Sequence, residues 1–348
     1  MKLTLLVPSL LWPDPQQPEI YHDLQLPSIT TLLSKSQNLT RPPQDIEAWL
    51  CTAFDIPKQS GNWPVAPILL RKYAPSWMKT DQEFWMRADP VHLRIEQNHI
   101  MLADHQAFQI SESESASIMT DLNHHLKNND LELNLLKPEQ WYVRLPDAPE
   151  IQTHTLSEVT CKNINQYLPT GTANAKWRKI FNEIQMLLHE HPVNLARESR
   201  GELPINSIWF WGGGTMPPSI KSPFTHIWSQ HDLTQSLAAA SNTPHFVLPD
   251  HPEKWLQTGL TGHHLVVLND LHGKAKYRDA YHWRERLKYL DTHWFHPILT
   301  ALGNKTVEHL TITVLSDLVT QDFTLTRSSL WKVWLRPKPL TSFMSHYL

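Results

Sequence analysis

The sequence predicts an α/β core, discontinuous along the chain, with an α+β domain inserted into it. Three observations carry this. Apolar runs of strand length alternate with helical patterns toward both ends; the middle is rich in hairpin signals; and no internal repeat or low-complexity tail interrupts the order. At 348 residues the chain is long enough for two domains. The expected core is residues 1–85 with 226–348, and the expected insert is 86–225.

The elements read as follows. Residues 3–7 form a short buried strand, and residues 26–34 a helix behind a proline. Residues 45–54 make a second helix, with Asp45 as N-cap and Ile46, Trp49, Leu50 and Phe54 on one face. Residues 57–75, rich in Pro, Gly and Ser, read as loop. Val91, Leu93 and Ile95 then alternate with His92, Arg94 and Glu96, and a turn at Gln97-Asn98 leads into residues 100–102, a hairpin. Ser111 and Glu114 have the spacing of a capping box for a helix running to 126. Residues 141–145 are another strand. The clearest helix is 173–189, with Ile180, Phe181, Ile184, Leu187 and Leu188 in register. It leads to a polar turn holding His191, Asn194 and Arg197. An apolar run, 205–211, follows and breaks into Gly212, Gly213 and Gly214. A strand (264–268), a helix (281–302) and a strand (310–315) come next, and 330–337 (LWKVWLRP) reads as a last strand.

With 41% hydrophobic and 19% charged residues, the composition is that of an ordinary globular protein. A net charge of −3 supplies no basic field for nucleic acid or an anionic membrane, and neither is expected as a partner. The apolar runs are too short to span a bilayer. The N-terminal MKLTLLVPSLLWP is interrupted by Pro8 and Pro13 and reads as a strand rather than a signal peptide. Two distant cysteines, Cys51 and Cys161, make no disulfide framework and point to the cytoplasm. The 21 histidines fall in no HExxH or zinc-finger frame. A strand ending in three glycines brings bare backbone N–H groups to a surface, a common way to meet an anion; the same glycines also suit close packing. Trp209 and Trp211, with Trp49, Trp63, Trp77 and Trp85, suit a packed core, a ligand groove or a protein interface. The basic WKVWLRPKP segment resembles a nucleic-acid patch only superficially and reads as an exposed edge strand.

The segments LPSITTLL, EAWLCTAF, WPVAPILL, RADPVHLR, NEIQMLLHEHPVN and INSIWFWGGG, in this order, resemble the cofactor-independent phosphoglycerate mutases, especially the archaeal-type branch. The chain looks closest to a bacterial group described as RpfE-type regulatory proteins. The resemblance implies an alkaline-phosphatase-like core with an inserted α+β domain. It also implies chemistry that uses two divalent metals held by Asp and His and a transiently phosphorylated Ser. Against that pattern, Pro8 and Ser9 stand where the first metal-binding Asp would be, and Gln44 where the nucleophile would be. A proline is no ligand and a carboxamide no nucleophile. Asp45 persists, but helix capping accounts for it. Asp270, His272 and Asp317 remain as weak metal candidates near the carboxyl ends of strands; Asp279 matches the late motif less securely. In the insert, Arg87, Asp89, Asn194, Arg197 and Asn206, with Gly212, Gly213 and Gly214, match the polar positions that face substrate in the family. Guanidinium forks suit phosphate and carboxylate. Equally, Arg87 and Asp89 suit a brace, and Asn194 a closed turn.

The expectation is therefore a divergent homologue without phosphotransfer, regulatory, that binds a small phosphorylated or carboxylated metabolite or a protein partner. No cofactor is expected, with Mn or Zn as the alternative. One alternative function is an active metal-dependent mutase or phosphatase with rearranged residues, Ser9, Thr52 or Ser316 acting as nucleophile. Another is a structural interaction module.

Overall fold

The computed structural model describes residues 1–344 apart from 97, 98, 130, 258, 260 and 333. The chain divides into two compact units, Met1–Leu50 with Lys221–Leu348, and Cys51–Ile220.

The first unit carries a seven-stranded sheet. In chain order its strands are β1 (Lys2–Leu6), β2 (Gln37–Arg41), β8 (His226–Trp228), β9 (His245–Phe246), β10 (His263–Val267), β11 (His309–Leu315) and β12 (Thr320–Thr326). They are arranged β2-β12-β11-β1-β10-β8-β9. β1 lies in the middle and runs parallel to both β10 and β11. β12 and β2 are antiparallel additions at one edge. β1 is buried from its second residue on, as a central parallel strand must be. Helices Pro27–Lys35, Ala280–Leu290 and His296–Gly303 supply Ile29, Leu32, Trp283, Leu287, Ile298 and Leu302 to its core. The single helix expected over 281–302 is divided by a π-helical turn, Asp291–Phe295. Asp291, at the start of this turn, reaches outside its own helix. Its buried carboxylate accepts from the backbone N–H of Ile29 (2.7 Å) and of Ser28 (3.4 Å), capping a helix far away in sequence. Burial raises this carboxyl above its ordinary range, while the two N–H groups work the other way.

The second unit is built on five antiparallel strands: β3 (Phe84–Glu96), β4 (His99–Ala103), β5 (Glu132–Lys137), β6 (Gln140–Leu145) and β7 (Ser207–Gly214). β3 pairs with β4, β6 and β7 along its length. The hairpin is present; the turn expected at Gln97-Asn98 lies outside the described residues. The helices Glu112–Leu126 and Asn174–His189 cover the sheet, and the Ser111–Glu114 capping box forms as expected.

Several expectations need correction. Residues 57–75 are not all loop: Val65–Tyr73 is a helix. Val65 to Leu70 are buried all round it, so no amphipathic stripe announced it, and Pro67 sits in the first turn, where proline is tolerated. This helix packs on β3 and β7, so residues 51–85 lie with the inserted unit rather than with the core. The polar turn at 191–197 is a helix, Pro192–Ser199, capped by His191, whose Nδ1 accepts from Val193 N–H at 3.2 Å. The described residues of 330–337 form no strand; the last strand of the sheet in chain order is β12, between β11 and the edge strand β2. No described helix is long and apolar enough to cross a membrane. Cys51 and Cys161 are not joined in a disulfide.

Candidate functional site

Arg87 and Asp89 are two apart on β3 and so leave the strand on the same face. Both are buried. Asp89 Oδ1 accepts from Arg87 Nε at 3.0 Å, from Arg87 Nη2 at 2.6 Å and from the Trp141 backbone N–H at 3.3 Å. Oδ2 accepts from Trp211 Nε1 at 2.7 Å. The guanidinium lies over the rings of Tyr142 and Trp211, 4.9 and 5.4 Å from their centroids, and Nη1 donates to the Tyr142 hydroxyl at 3.3 Å. Burial pushes the Asp89 carboxyl up, against the pull of Arg87. Burial alone would lower Arg87, but the Asp89 charge, Tyr142 and the hydrogen bonds to both together outweigh it and keep the guanidinium protonated.

Arg197 is equally enclosed, at 1% exposure. Nε donates to Leu203 O (2.8 Å), Nη1 to Glu114 Oε2 (3.0 Å) and Nη2 to Gln109 O (2.9 Å). Glu114 is the capping-box residue and also accepts from Arg200 at 2.7 Å. Burial opposes its ionisation, but the Ser111 N–H, Arg200 and Arg197 together hold its carboxyl below the ordinary range. Asn194 donates to Leu188 O and Ile205 O and accepts from Ile205 N–H, tying the helix Pro192–Ser199 to the entry of β7. Asn206 exchanges two hydrogen bonds with the backbone of Leu93. A Cβ on Gly213 would stand 2.8 Å from Met86 Cγ, and one on Gly214 2.6 Å from Pro64 Cβ. These glycines let β7 approach the strand and helix beside it. The polar groups expected to meet an anion therefore have their partners inside the unit.

In the sheet-bearing unit, Asp45 caps its helix, accepting from Ala48 N–H at 2.6 Å, and Gln44 precedes it, half-buried. Asp270 opens the helix Asp270–Lys276 and pairs with Arg286. Asp317 pairs with Lys276 at 2.8 Å. His272 Nδ1 lies 3.2 Å from the hydroxyl of Ser9, just beyond the end of β1. Asp279, the least secure match, caps Ala280–Leu290 through His282 N–H at 3.2 Å. Among the described residues no three His, Cys, Asp or Glu side chains gather in a form that would hold a metal ion. The donors present do not fit the two divalent ions that the family resemblance implies: Asp270 and Asp317 face cationic side chains, and Pro8 and Gln44, which stand where that resemblance puts a metal ligand and the nucleophile, can serve as neither.

The Ser9–His272 contact was not legible in the sequence, because 263 positions separate its partners. Ser9 has φ of +58°. Its N–H donates to Leu315 O and its carbonyl accepts from Trp283 Nε1, each at 2.9 Å, which fixes that conformation.

No family model matches the chain. Over 140 residues it is 30% identical to a 2,3-bisphosphoglycerate-independent phosphoglycerate mutase of Methanosarcina mazei, covering 38% of this chain and 34% of that protein. The corresponding enzyme of Methanosarcina barkeri gives 30% over 137 residues, covering 38% and 33%. The chain thus spans about a third of the length of the curated relatives it matches. Among solved structures, the PH0037 protein from Pyrococcus horikoshii superposes with a TM-score of 0.53 at 11% identity, over 93% of this chain and 87% of that one. The cofactor-independent phosphoglycerate mutase from Thermoplasma acidophilum gives 0.48 at 12%, over 98% and 94%. The fold is of the α/β alkaline-phosphatase-like class, with parallel and antiparallel sheets. The homologues are cofactor-independent phosphoglycerate mutases, at low identity and over part of the chain.

Proposed function

We propose that this chain is a divergent phosphoglycerate-mutase-like protein of the RpfE-type regulatory kind, acting in the cytoplasm by binding rather than by metal-dependent phosphotransfer. One observation carries the reading: Asp270 and Asp317, the carboxylates left at the expected metal positions, are each paired with a cationic side chain of the chain itself. Lys276 and Arg286 give these carboxylates the positive charge that divalent ions would give them in a two-metal site. Gln44 and Pro8 add to the argument, since neither side chain can be restored to its expected role by rearrangement.

The bound species is a protein partner or a small phosphorylated or carboxylated metabolite. The former is favoured, because every nitrogen of the Arg87 and Arg197 guanidinium groups already donates within the chain. The test is mutase and phosphatase turnover with Mn²⁺, Zn²⁺ or Mg²⁺, alongside metal analysis of unchelated protein. Background turnover and substoichiometric metal are expected. Turnover on 3-phosphoglycerate that is abolished by chelation and by Asp317→Ala would overturn the proposal.

A further inference from the structure

Trp331 and Trp334 stand apart from most of the chain's tryptophans, at 68% and 75% exposure. They lie on a strap between two fixed points. Before it, the helix Arg327–Leu330 is opened by a capping box at Thr326 and Ser329. After it, Leu340, Phe343 and Met344 are buried in the core of the sheet-bearing unit. Along its length the strap is tied to the end of the helix Pro27–Lys35. Lys35 Nζ donates to Leu330 O at 2.8 Å, Lys332 Nζ to Lys35 O at 3.4 Å, and Lys338 N–H to Ser34 Oγ at 2.7 Å. The two indoles are thus presented from an anchored segment.

The strap is also one-signed. After Asp322 the sequence contains no acidic residue, while Arg327, Lys332, Arg336 and Lys338 fall in this stretch. Among the described residues none of these four forms an ion pair, although Arg327 lies over the Trp331 ring at 5.9 Å. Indoles and guanidinium groups are the side chains that most often anchor protein interfaces, and unneutralised cations around them select an acidic partner.

We propose that Trp331 and Trp334, with the cations beside them on the strap, dock an acidic protein segment, whose apolar side chains cover the two indoles and whose carboxylates meet Arg336, Lys338 and Lys332. The balance of charge favours a compact partner over a bilayer or nucleic acid. The whole chain is net −3, so the remainder is more acidic still and is repelled by an extended anionic surface that a short segment never brings near it. The inference rests on the reading of the chain as a binding protein, but on different residues.

The test is fluorescence anisotropy of the full chain with a labelled peptide of alternating Glu and Leu, at low and moderate salt. Saturable binding that weakens with salt is expected. Trp334→Ala and the reversal Arg336→Glu with Lys338→Glu should each weaken it by about tenfold, with thermal stability unchanged because these side chains are exposed. Vesicles containing phosphatidylserine and duplex DNA serve as competitors. No binding up to about 1 mM peptide, binding indifferent to both variants, or stronger strap-dependent binding to vesicles or DNA would each overturn the proposal. Metal-dependent turnover would remove the proposed function without touching this result, and the peptide titration leaves the turnover assay untouched.

Discussion

Asp89→Ala tests whether the Arg87–Asp89 pair is a brace or a ligand arm. The substitution leaves a buried guanidinium whose two shortest acceptor contacts, 2.6 and 3.0 Å, are gone, and it orphans Trp211 Nε1. Removing one partner of a buried ion pair costs about 3–5 kcal/mol. For a unit of this size about 1 kcal/mol moves the midpoint by 2–4 °C, so the fall should be on the order of 10 °C. The double variant Arg87→Met with Asp89→Leu removes both charges and keeps an apolar filling between Tyr142 and Trp211. It should lose distinctly less than the single variant, because the uncompensated charge accounts for most of the cost. Differential scanning calorimetry of wild type, both single variants and the double closes the cycle. An Asp89→Ala midpoint within about 1 kcal/mol of wild type, or a double variant no better than the single, would refute the reasoning.

Arg197→Lys should destabilise by about 3 kcal/mol in urea titration, since one ammonium cannot reach Leu203 O, Gln109 O and Glu114 together. Gly214→Ala should cost about 1–3 kcal/mol in the same assay, because the new methyl group meets Pro64 at 2.6 Å. His264 accepts from Trp255 Nε1 at its Nδ1, which requires a neutral ring, and burial holds its pKa down to about 4. The unfolded ring titrates near 6.5, so the unfolded chain binds the proton first. Stability is full above about pH 6.5 and falls toward pH 4, by at most about 1.4 kcal/mol per pH unit from this group. Denaturation at pH 7 and pH 5 checks it, and His264→Gln should flatten the difference. Gln44→Ser should leave phosphatase turnover at background with any divalent ion, since Asp270 and Asp317 stay paired; clear turnover would mean that these carboxylates can leave their cations and hold a metal.

What the sequence made legible was local. The capping box at Ser111 needs only residues three apart, and the cap at Asp45 likewise. The α/β core and its insertion were legible from the order of alternating segments. The helix Val65–Tyr73 was hidden because burial on all sides erases periodicity. The last strand was placed at 330–337 because a short run rich in apolar residues looks the same in an exposed strap as in a strand, while Thr320–Thr326, the actual strand, carries Asp322 facing Arg41 and Thr313. At the candidate site, Arg87 and Asp89 could be placed on one face of a strand. That the Trp141 backbone N–H and the Trp211 indole meet Asp89 depends on partners 52 and 122 positions away.

The placement of β1 has a consequence for how the molecule is made. The strand is synthesised long before both its neighbours, β10 and β11, which lie beyond residue 260. The ribosome must complete the inserted unit before this strand finds a partner, and its apolar side chains stay unpaired until then. The inserted unit is encoded without interruption and can close while β1 still waits. An N-terminal fragment ending near residue 220 would therefore present a folded unit carrying an unpaired, sticky strand, the form in which this protein is most exposed to chaperones and to aggregation.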